Sequence, residues 1–406
     1  MTQRLKIAIL APIASADVAA YLDPAVHDLP AGYIGAPLIG VLIGELLRQG
    51  HEVVGITVDY RLSGRAPVVA RGPGFDLHIL PGRARAWRFN GWRPGRAWDA
   101  FRFERRALAA TLAQVRPDVV HAHWTCEFAL AALDTGLPTV VTAHDSAHLI
   151  WRITRSPYRW LRARMARRVL ARAPCLTTVS DYLAQLLAGQ ASAPPRVVPN
   201  PVAPWVIERG AARDAPRGLR VAMVGNGWGP RKNAQPALRA FALLRQRLPG
   251  AELHLFGHDF GPGEAAQRWA AAKGLDNGLQ FHGALPHRSL IERLNGLDVL
   301  LHPALEESFG VVLAEAMALG LPLVAGARSG AVPWVAGDAQ WLVDVQSPAA
   351  MAQAIEQSLT DVARYASASK AGRARVLGLF APAAVVGAYL AHYRRARAEQ
   401  TGVVPP

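Results

Sequence analysis

Two glutamates, Glu307 and Glu315, stand eight positions apart in the part of the sequence best equipped for chemistry. Glu307 follows a predicted strand and opens the run Glu307-Ser308-Phe309-Gly310, and Glu315 lies just over one turn into the next predicted helix. Gly310 allows the backbone to come close to a ligand, and the free amides at the start of that helix favour an anion. A carboxylate on a largely apolar helix is costly without partners, and sugar or ribose hydroxyls are suitable donors to Glu315. The segment therefore predicts a ligand site rather than a solvent-facing glutamate.

A glycine-rich turn follows the first predicted strand of the second half of the chain. It reads Val224-Gly225-Asn226-Gly227-Trp228-Gly229-Pro230-Arg231-Lys232-Asn233 and leads into a helix. Glycines at a strand-to-helix turn let backbone amides approach a diphosphate, and Arg231 and Lys232 would neutralise its charge. The turn lacks the spacing of a Walker A loop and the Ser or Thr after its lysine. We predict a diphosphate site that includes Gly225, Arg231 and Lys232.

Histidines follow two predicted strands of the first half. His121 and His123 come after a strand that ends at Val120, and His144 and Asp145 come after the next one. Open α/β sheets bind their ligands at the carboxyl ends of strands, so three histidines there favour a site over a structural role. We predict a ligand site that includes His123, with His121, His144 and Asp145 on its acceptor side.

The means of holding phosphate without a metal can also be read from the sequence. Gly32 and Gly35 precede a predicted helix and could form a loop that phosphates approach closely, so Gly35 joins the predicted diphosphate site. No Asp-x-Asp pair occurs, so the usual metal-carboxylate clamp is absent. We expect no cofactor and no required metal, because Arg231, Lys232 and helix amides would stabilise a leaving diphosphate.

Short apolar runs alternate with helical segments, which is typical of α/β units around parallel sheets. The predicted strands lie near Ile7, Val53–Val58, Val119–His121, Thr139–Thr142, Leu176–Val179, Val221–Val224, Glu252–Phe256, Leu279–Phe281, Val299–Leu301 and Leu323–Ala325. Helices are predicted at Pro37–Arg48 and at Ala381–Arg397, and the stretch from Val197 to Gly218 is predicted to be a linker. At 406 residues, two domains are expected: 1–203 with a crossing helix from 381–406, and 219–380.

The net charge of +15 comes mostly from arginine and is concentrated in two segments. Each of these arginine-aromatic segments, Gly82–Leu108 and Trp151–Arg172, carries eight arginines, and no acid occurs between Asp145 and Asp181. Such patches attract polyanions or an anionic membrane leaflet, whereas a high arginine content could equally produce solvated helix faces. No recognised nucleic-acid-binding module accompanies the charge, so we expect no nucleic acid partner.

Cysteine usage and hydropathy indicate a reducing compartment. Cys126 and Cys175 form neither a disulfide framework nor a zinc motif. The apolar run Ile7–Ala16 resembles a signal peptide but is better explained as a buried first strand. No stretch approaches the roughly 20 apolar residues of a spanning helix. We expect a cytoplasmic protein able to attach to the inner face of the cytoplasmic membrane.

Together these motifs resemble the GT-B-fold glycosyltransferases of family 4, the "glycosyl transferases group 1" set. The resemblance is carried by Gly50-His51-Glu52-Val53, Pro117 to His123, Thr177 to Ser180, Val198-Pro199-Asn200 and Arg231-Lys232, and most tightly by Asp298 through Pro322. It implies an α/β architecture of GT-B type, with two Rossmann-like domains facing across a cleft and a last helix that crosses back to the first domain.

The resemblance also implies an activity, which is retaining transfer of a sugar from a nucleotide-diphosphate donor without a required metal. The acceptor would be a glycan or a lipid-linked molecule, in cell-surface polysaccharide synthesis. Glu315 would bind the donor ribose, Glu307 and the amides around Phe309 and Gly310 would meet the sugar, and Arg231 and Lys232 would hold the diphosphate. His123 matches the histidine that contacts the sugar near the reacting centre, so the resemblance implies that His123 and Glu307 are catalytic.

Three departures from the family pattern stand out. Asn226 occupies a position where many members have an arginine, and we expect Arg231 to substitute. The amino-terminal Gly-Gly is not intact near Gly35, and near the donor site Ser329-Gly330 replaces Gly-Gly while Trp334 stands where a glutamate is common. Two alternatives remain open: another nucleotide-sugar enzyme of this fold, such as an epimerase or a phosphorylase, and a basic nucleic-acid-binding protein.

Overall fold

The structure is a computed structural model that describes residues 4–401. It divides into two compact units. The first contains the chain up to Pro201 together with the chain from Pro382 onward, and the second contains Val202–Ala381. Each unit is built on its own sheet, and within the described residues the sheets have eight and six strands.

The first unit is an α/β layer structure in which buried apolar runs form the central strands. Its strands are β1 Lys6–Leu10, β2 Glu52–Asp59, β3 Val68–Gly72, β4 Phe75–Pro81, β5 Val119–His123, β6 Thr139–Ala143, β7 Cys175–Thr178 and β8 Arg196–Val197. Its helices up to Pro201 are α1 Ser15–Val18, α2 Pro37–Arg48, α3 Arg102–Val115, α4 Glu127–Asp134, α5 Ala147–Thr154, α6 Pro157–Leu170 and α7 Asp181–Ala188. The predicted α2 is confirmed, with Pro37 in its first turn and Gly50 at φ +84° just beyond its end.

The strand order of the first sheet is β3-β4-β2-β1-β5-β6-β7-β8. All neighbours are parallel except β3 and β4, which form an antiparallel hairpin at one edge that the sequence analysis did not predict. The apolar run beginning at Ile7 is the central strand β1, fully buried and paired on both sides, as predicted. The order reverses between β1 and β5, which makes the loops after these strands the topological switch point of the sheet.

The second unit repeats the α/β plan. Its helices are α8 Pro204–Arg209, α9 Ala234–Arg247, α10 Ala265–Ala272, α11 His287–Asn295, α12 Val311–Ala318, α13 Val332–Ala336, α14 Pro348–Thr360 and α15 Val362–Arg375. Its strands are β9 Arg220–Val224, β10 Glu252–Phe256, β11 Leu279–Gly283, β12 Val299–His302, β13 Leu323–Gly326 and β14 Trp341–Val343. They are parallel in the order β11-β10-β9-β12-β13-β14, which is the Rossmann order with its switch point between β9 and β12.

The predicted linker is wrong over most of its length, because the chain from Val202 to Gly218 belongs to the second unit. Helix α8 packs against α12 within that unit. Arg213 is buried, and its guanidinium donates to the carbonyl oxygens of Leu319 at 3.2 Å and Asn295 at 2.9 Å. A proline-, arginine- and alanine-rich composition suggested a solvated segment, but these hydrogen bonds fasten it to the ends of α11 and α12.

The last helix, α16 Pro382–Thr401, returns to the first unit, as predicted. Tyr389 and Tyr393 are buried in its core, where the Tyr393 hydroxyl lies 2.7 Å from Nδ1 of His121. By length and composition alone, the helical stretch Val362–Gln400 could cross a membrane, which corrects the expectation of no such stretch. That evidence is weak, because extended backbone at Ala381 separates α15 from α16 and α16 contributes several core side chains.

Not all of the arginines in the arginine-aromatic segments lie on the surface. Arg83 is buried and forms two-pronged contacts with Glu104, at 2.7 and 3.0 Å, and with Asp99, at 2.8 and 3.0 Å. Glu104 is itself fully buried on α3. One arginine of the segment therefore holds the loop before α3 onto the first unit, whereas Arg88 in the same loop is exposed.

We predict that Arg83→Ala lowers the free energy of unfolding of the first unit by about 3–5 kcal/mol, because it leaves the Glu104 carboxylate buried without its cation. Arg88→Ala is the matched control and should change it by less than about 0.5 kcal/mol. Calorimetry on the full chain measures both variants. Equal melting profiles for the two would show that the Arg83 contacts do not contribute to stability.

Candidate functional site

Two loops at the switch point of the second sheet bring the predicted motifs together. One follows β9 and ends in a 3₁₀ turn, Pro230–Lys232, and the other follows β12 and contains Glu306 and Glu307. Lys232 Nζ lies 2.7 Å from Glu307 Oε1, and Arg231 Nη1 lies 3.3 Å from Glu306 Oε2. Residues that are 75 positions apart thus form one charged cluster where open α/β sheets bind ligands.

In the glycine-rich turn, amides that were predicted to approach a diphosphate are bonded to backbone carbonyls instead. The amide of Gly225 donates to the Phe256 carbonyl at 3.0 Å, and that of Gly227 donates to the His258 carbonyl at 3.1 Å. A Cβ added at Gly257 would lie 1.8 Å from the Gly225 carbonyl oxygen, so the glycines serve a close backbone crossing between two loops. An anion at this turn would be held by side-chain cations rather than by the Gly225 amide.

The run around Phe309 joins the second loop to the hydrophobic interior. The Phe309 ring is buried 5.4 Å from Phe380 and 6.5 Å from Trp334, between ring centres. Trp334 therefore fills space beside the run instead of presenting the carboxylate common in the family. The ring anchors the chain at Ser308 and Gly310, and Gly310 adopts φ +81° where α12 begins.

The start of α12 suits an anion. Its N-cap residue, Gly310, has no side chain to cap the helix, and the Leu313 amide donates to the Gly310 carbonyl at 2.9 Å, so an anion would meet the amides of Val311 and Val312 and the favourable helix dipole. The backbone before it is fixed, because the Glu307 carbonyl accepts from the Ala331 amide at 2.8 Å. The helix start follows directly on the segment that contains Glu307, which pairs with Lys232 from the loop after β9.

Glu315 is buried on α12 and has a partner that the sequence analysis missed. Its Oε1 lies 2.6 Å from Nε2 of His287, the first residue of α11. His287 stands 28 positions earlier on a different helix, and its ring also packs edge-on against Trp205. The contact orients one carboxylate oxygen of Glu315 and leaves the other for a ligand hydroxyl.

Glu307 is held in its ionised form. Burial alone would raise the pKa of its carboxyl group, but the His302 ring and the Lys232 ammonium group outweigh burial and lower the pKa to about 2. His302 Nε2 lies 3.7 Å from Glu307 Oε1, which is longer than a hydrogen bond, so its influence is electrostatic. At neutral pH the site therefore contains a fixed negative charge beside Lys232.

In the first unit, His123 is the last residue of β5 and His144 follows β6, so neighbouring strands bring the two rings together. His123 Nδ1 lies 2.9 Å from His144 Nε2. Burial lowers the pKa of His123 well below its usual value and that of His144 to about 3, so both rings are neutral at physiological pH. Among residues 4–401, His123 Nε2 is buried without a hydrogen-bond partner, which costs about 1–3 kcal/mol unless a ligand supplies one.

His121 does not lie on an accessible surface, contrary to its predicted acceptor role. It is inside β5 rather than after it, and its ring is fully buried. Its two ring nitrogens lie 2.7 Å from the Tyr393 hydroxyl and 2.7 Å from the Thr142 hydroxyl. Its ring packs against Tyr389 and Tyr393 of α16 in the core, so its role is structural.

Gly35 and Asp145 line a pocket of about 300 Å³ in the first unit. Its walls come from the loops after β1 and β5, at the switch point of the first sheet, and from α5 and α6. Gly35 has φ +123°. The residues that line the pocket include Tyr33, Ile34, Trp124, Glu127, Ile150, Tyr158, Arg159 and Arg162.

Trp124 is a pocket residue that the sequence analysis quoted but did not assign. It adopts φ +62°, and its ring stacks on His144 with ring centres 4.2 Å apart. A left-handed conformation is uncommon for a bulky residue and marks positions where the surroundings determine the backbone. The signal available beforehand was its place directly after His121-Ala122-His123 at a strand end.

Comparison with known proteins agrees with the fold and the motifs. The family described as "Glycosyltransferase Family 4" matches residues 39–205, and "Glycosyl transferases group 1" matches residues 217–375. A D-inositol 3-phosphate glycosyltransferase from Stackebrandtia nassauensis is 30% identical over 333 residues, which cover 75% of this chain and 74% of that protein. A 2-deoxystreptamine glucosyltransferase from Streptomyces kanamyceticus is 28% identical over 286 residues, covering 66% of this chain and 73% of that one.

Solved structures share the fold at lower sequence identity. Sucrose-phosphate synthase from Thermosynechococcus elongatus aligns with a TM-score of 0.73 at 20% identity, covering 98% of this chain and 100% of that one. HepE from Anabaena in complex with UDP-glucose aligns with a TM-score of 0.63 at 16% identity, covering 96% and 100%. The predicted resemblance and the α/β fold of GT-B type are thereby confirmed. The chain belongs to the GT-B-fold glycosyltransferases of family 4 and is a glycosyltransferase.

Proposed function

We propose that this enzyme is a retaining glycosyltransferase that moves a sugar from a nucleotide-diphosphate donor to a glycan or lipid-linked acceptor in cell-surface polysaccharide synthesis. The observation that carries the proposal is the 2.7 Å pair between Lys232 and Glu307, which places a cation and a fixed carboxylate beside the uncapped start of α12. A donor needs both features, because its diphosphate is anionic and its sugar presents hydroxyl donors.

The donor diphosphate binds to Arg231 and Lys232. In the absence of a donor these cations face Glu306 and Glu307, so the carboxylates keep them in position. When the sugar–phosphate bond breaks, negative charge develops on the departing diphosphate, and the two side chains and the first amides of α12 stabilise it. Arg231 supplies the charge that many family members obtain from an arginine at the position of Asn226.

The nucleoside and the sugar are bound by different carboxylates. Glu315, oriented by His287, accepts the ribose hydroxyls, whereas Glu307 lies at the donor sugar with the backbone of Phe309 and Gly310. His123 is the proposed catalytic residue of the first unit and contacts a substrate hydroxyl through its Nε2 atom, which has no hydrogen-bond partner within the described residues. Neither carboxylate has to act as the nucleophile.

We predict that Glu315→Ala mainly raises the donor KM, because ribose contacts are similar in the ground and transition states. Glu307→Ala and His123→Ala should mainly lower kcat, since these groups lie where charge changes during transfer. Lys232→Ala should cost about 2–4 kcal/mol of transition-state stabilisation. Steady-state kinetics with a panel of nucleotide sugars measure all four variants.

The control for these variants is Glu208→Ala, an exposed glutamate of α8 in the same unit, which should keep wild-type kinetics. Circular dichroism must show that each variant is folded, because Glu315 and His123 are buried. If Glu315→Ala and Glu307→Ala both leave donor binding and turnover unchanged, the proposed donor site is wrong.

We propose that transfer does not require a metal, since two protein cations serve the diphosphate and the chain carries no Asp-x-Asp pair. Activity should therefore survive thorough chelation with EDTA, and divalent ions should at most stimulate it by speeding nucleotide release. The measurement compares initial rates before and after chelation. Complete loss of activity that manganese restores would contradict the assignment of Arg231 and Lys232.

The exposed parts of the arginine-aromatic segments fit an anionic membrane surface. Trp92 and Trp98 are 82% and 69% exposed in the first segment, and Ile153 and Trp160 are 55% and 46% exposed in the second. Arg93 stacks on Trp92 with its charge 4.9 Å from the ring centre. Aromatic rings that enter the lipid interface beside arginines that pair with headgroups would bring the enzyme to a lipid-linked acceptor on the cytoplasmic face, with no nucleic acid partner.

We predict that the full-length enzyme floats with vesicles that contain anionic lipid, and that binding weakens as salt screens the charges over about 8 Å at physiological strength. The double variant Trp92→Ser/Trp98→Ser should bind several-fold more weakly. Val362→Ser is the control, because Val362 is also exposed, at 52%, but belongs to the second unit. If flotation does not depend on lipid charge, on salt or on the two tryptophans, the segments are ordinary solvated surface and do not bind the membrane.

A further inference from the structure

We propose that the pocket at the switch point of the first sheet binds the acceptor as a phosphorylated polyol, with the ring at Asp145 and Trp124 and the phosphate at Arg159. The inference rests on the proposed function and names the chemical class of its acceptor. The pocket of about 300 Å³ is large enough for a six-membered ring with one phosphate. The phosphate could belong to a soluble phosphorylated polyol or to a lipid headgroup.

The inner wall of the pocket suits a hydroxylated ring. Asp145 lines the pocket and is half-buried, and its carboxylate oxygens can accept two neighbouring hydroxyls. Trp124 stands beside it, held by the stack on His144 and by its amide, which donates to the Thr142 carbonyl at 2.9 Å. A carboxylate next to a rigid aromatic face matches the two surfaces of a polyol ring, its hydroxyl edge and its apolar face.

The two arginines that line the pocket differ in what they already bind. Arg162 Nη1 lies 3.0 Å from Glu127 Oε2, so the buried carboxylate of Glu127 balances its charge. Arg159 stands three positions earlier on α6, on the same helix face, and its side chain is exposed. Among residues 4–401 it has no ion pair, so it is the cation of this pocket left for a ligand.

The surroundings favour an anionic over a cationic substituent. Seven arginines besides Arg159 lie between Trp151 and Arg172, and no acid occurs between Asp145 and Asp181. An amine on the acceptor would meet this positive potential, whereas a phosphate is attracted by it and can pair with two guanidinium nitrogens. Ile34, 66% exposed, and Ile150 also line the pocket and would accompany a lipid chain.

Titration calorimetry with the full-length enzyme in the absence of a donor tests the proposal. The probes are myo-inositol and myo-inositol 1-phosphate, glucose and glucose 6-phosphate, and inorganic phosphate. We expect each phosphorylated probe to bind roughly tenfold more tightly than its neutral counterpart. Arg159→Gln should remove that difference, and Arg159→Lys should restore part of it. Arg65→Gln, an exposed arginine of the first unit outside the pocket and outside both arginine-aromatic segments, should keep it.

Vesicles separate the two sources of phosphate. If the source is a lipid, vesicles with phosphatidylinositol should bind better than vesicles with the equally charged phosphatidylglycerol, and Arg159→Gln but not Arg65→Gln should abolish that preference. If it is soluble, only the calorimetric difference appears. Equal binding of neutral and phosphorylated probes, no binding of either, or a difference that survives in Arg159→Gln would overturn the proposal. Since no donor is present, these outcomes are independent of the kinetics that test the donor site.

Discussion

The ion pair between Lys232 and Glu307 is the interaction on which the proposed chemistry depends. It joins the loops after β9 and β12, the two strands on either side of the switch point. A charged site therefore forms at the place where open α/β sheets bind their ligands. Its geometry also determines protonation, because Lys232 and His302 lower the pKa of Glu307 to about 2 although burial alone would raise it. The site is thus preorganised for an anion and a sugar before either arrives, and little reorganisation remains for the reaction itself.

The first unit also has its candidate site at the switch point of its sheet, but different side chains line it. Its switch point carries a pocket in which the Trp124 ring stands beside Asp145 and Arg159. Neutral histidines stand beside it, because burial lowers the pKa values of His123 and His144. The same plan of parallel strands therefore presents a cluster of ion pairs in one unit and a pocket with an aromatic wall in the other.

The sequence predicted most of the strands and the α/β class, because buried parallel strands are continuous apolar runs that can be recognised locally. Helix α2 and strand β10 were predicted with their observed bounds, Pro37–Arg48 and Glu252–Phe256. The edge hairpin β3–β4 was missed because charged residues interrupt its apolar pattern. The contacts of His287 with Glu315 and of Tyr393 with His121 lie beyond local patterns, since the latter partners are 272 positions apart. The Gly225 amide was misjudged for the same reason: its acceptor is on another strand.

The position of α16 has a consequence for how the protein is made. Ribosomes deliver the chain from its amino terminus, and domains generally begin to fold as they emerge. The core of the first unit, however, includes Val385, Tyr389 and Tyr393, and these residues are synthesised only after the whole of the second unit. Until then, the side of the first sheet that contains His121 lacks its cover, with apolar side chains and a buried imidazole open to water. Synthesis of the first unit therefore starts first and is completed last. During that interval its exposed apolar side chains make the nascent chain prone to aggregation.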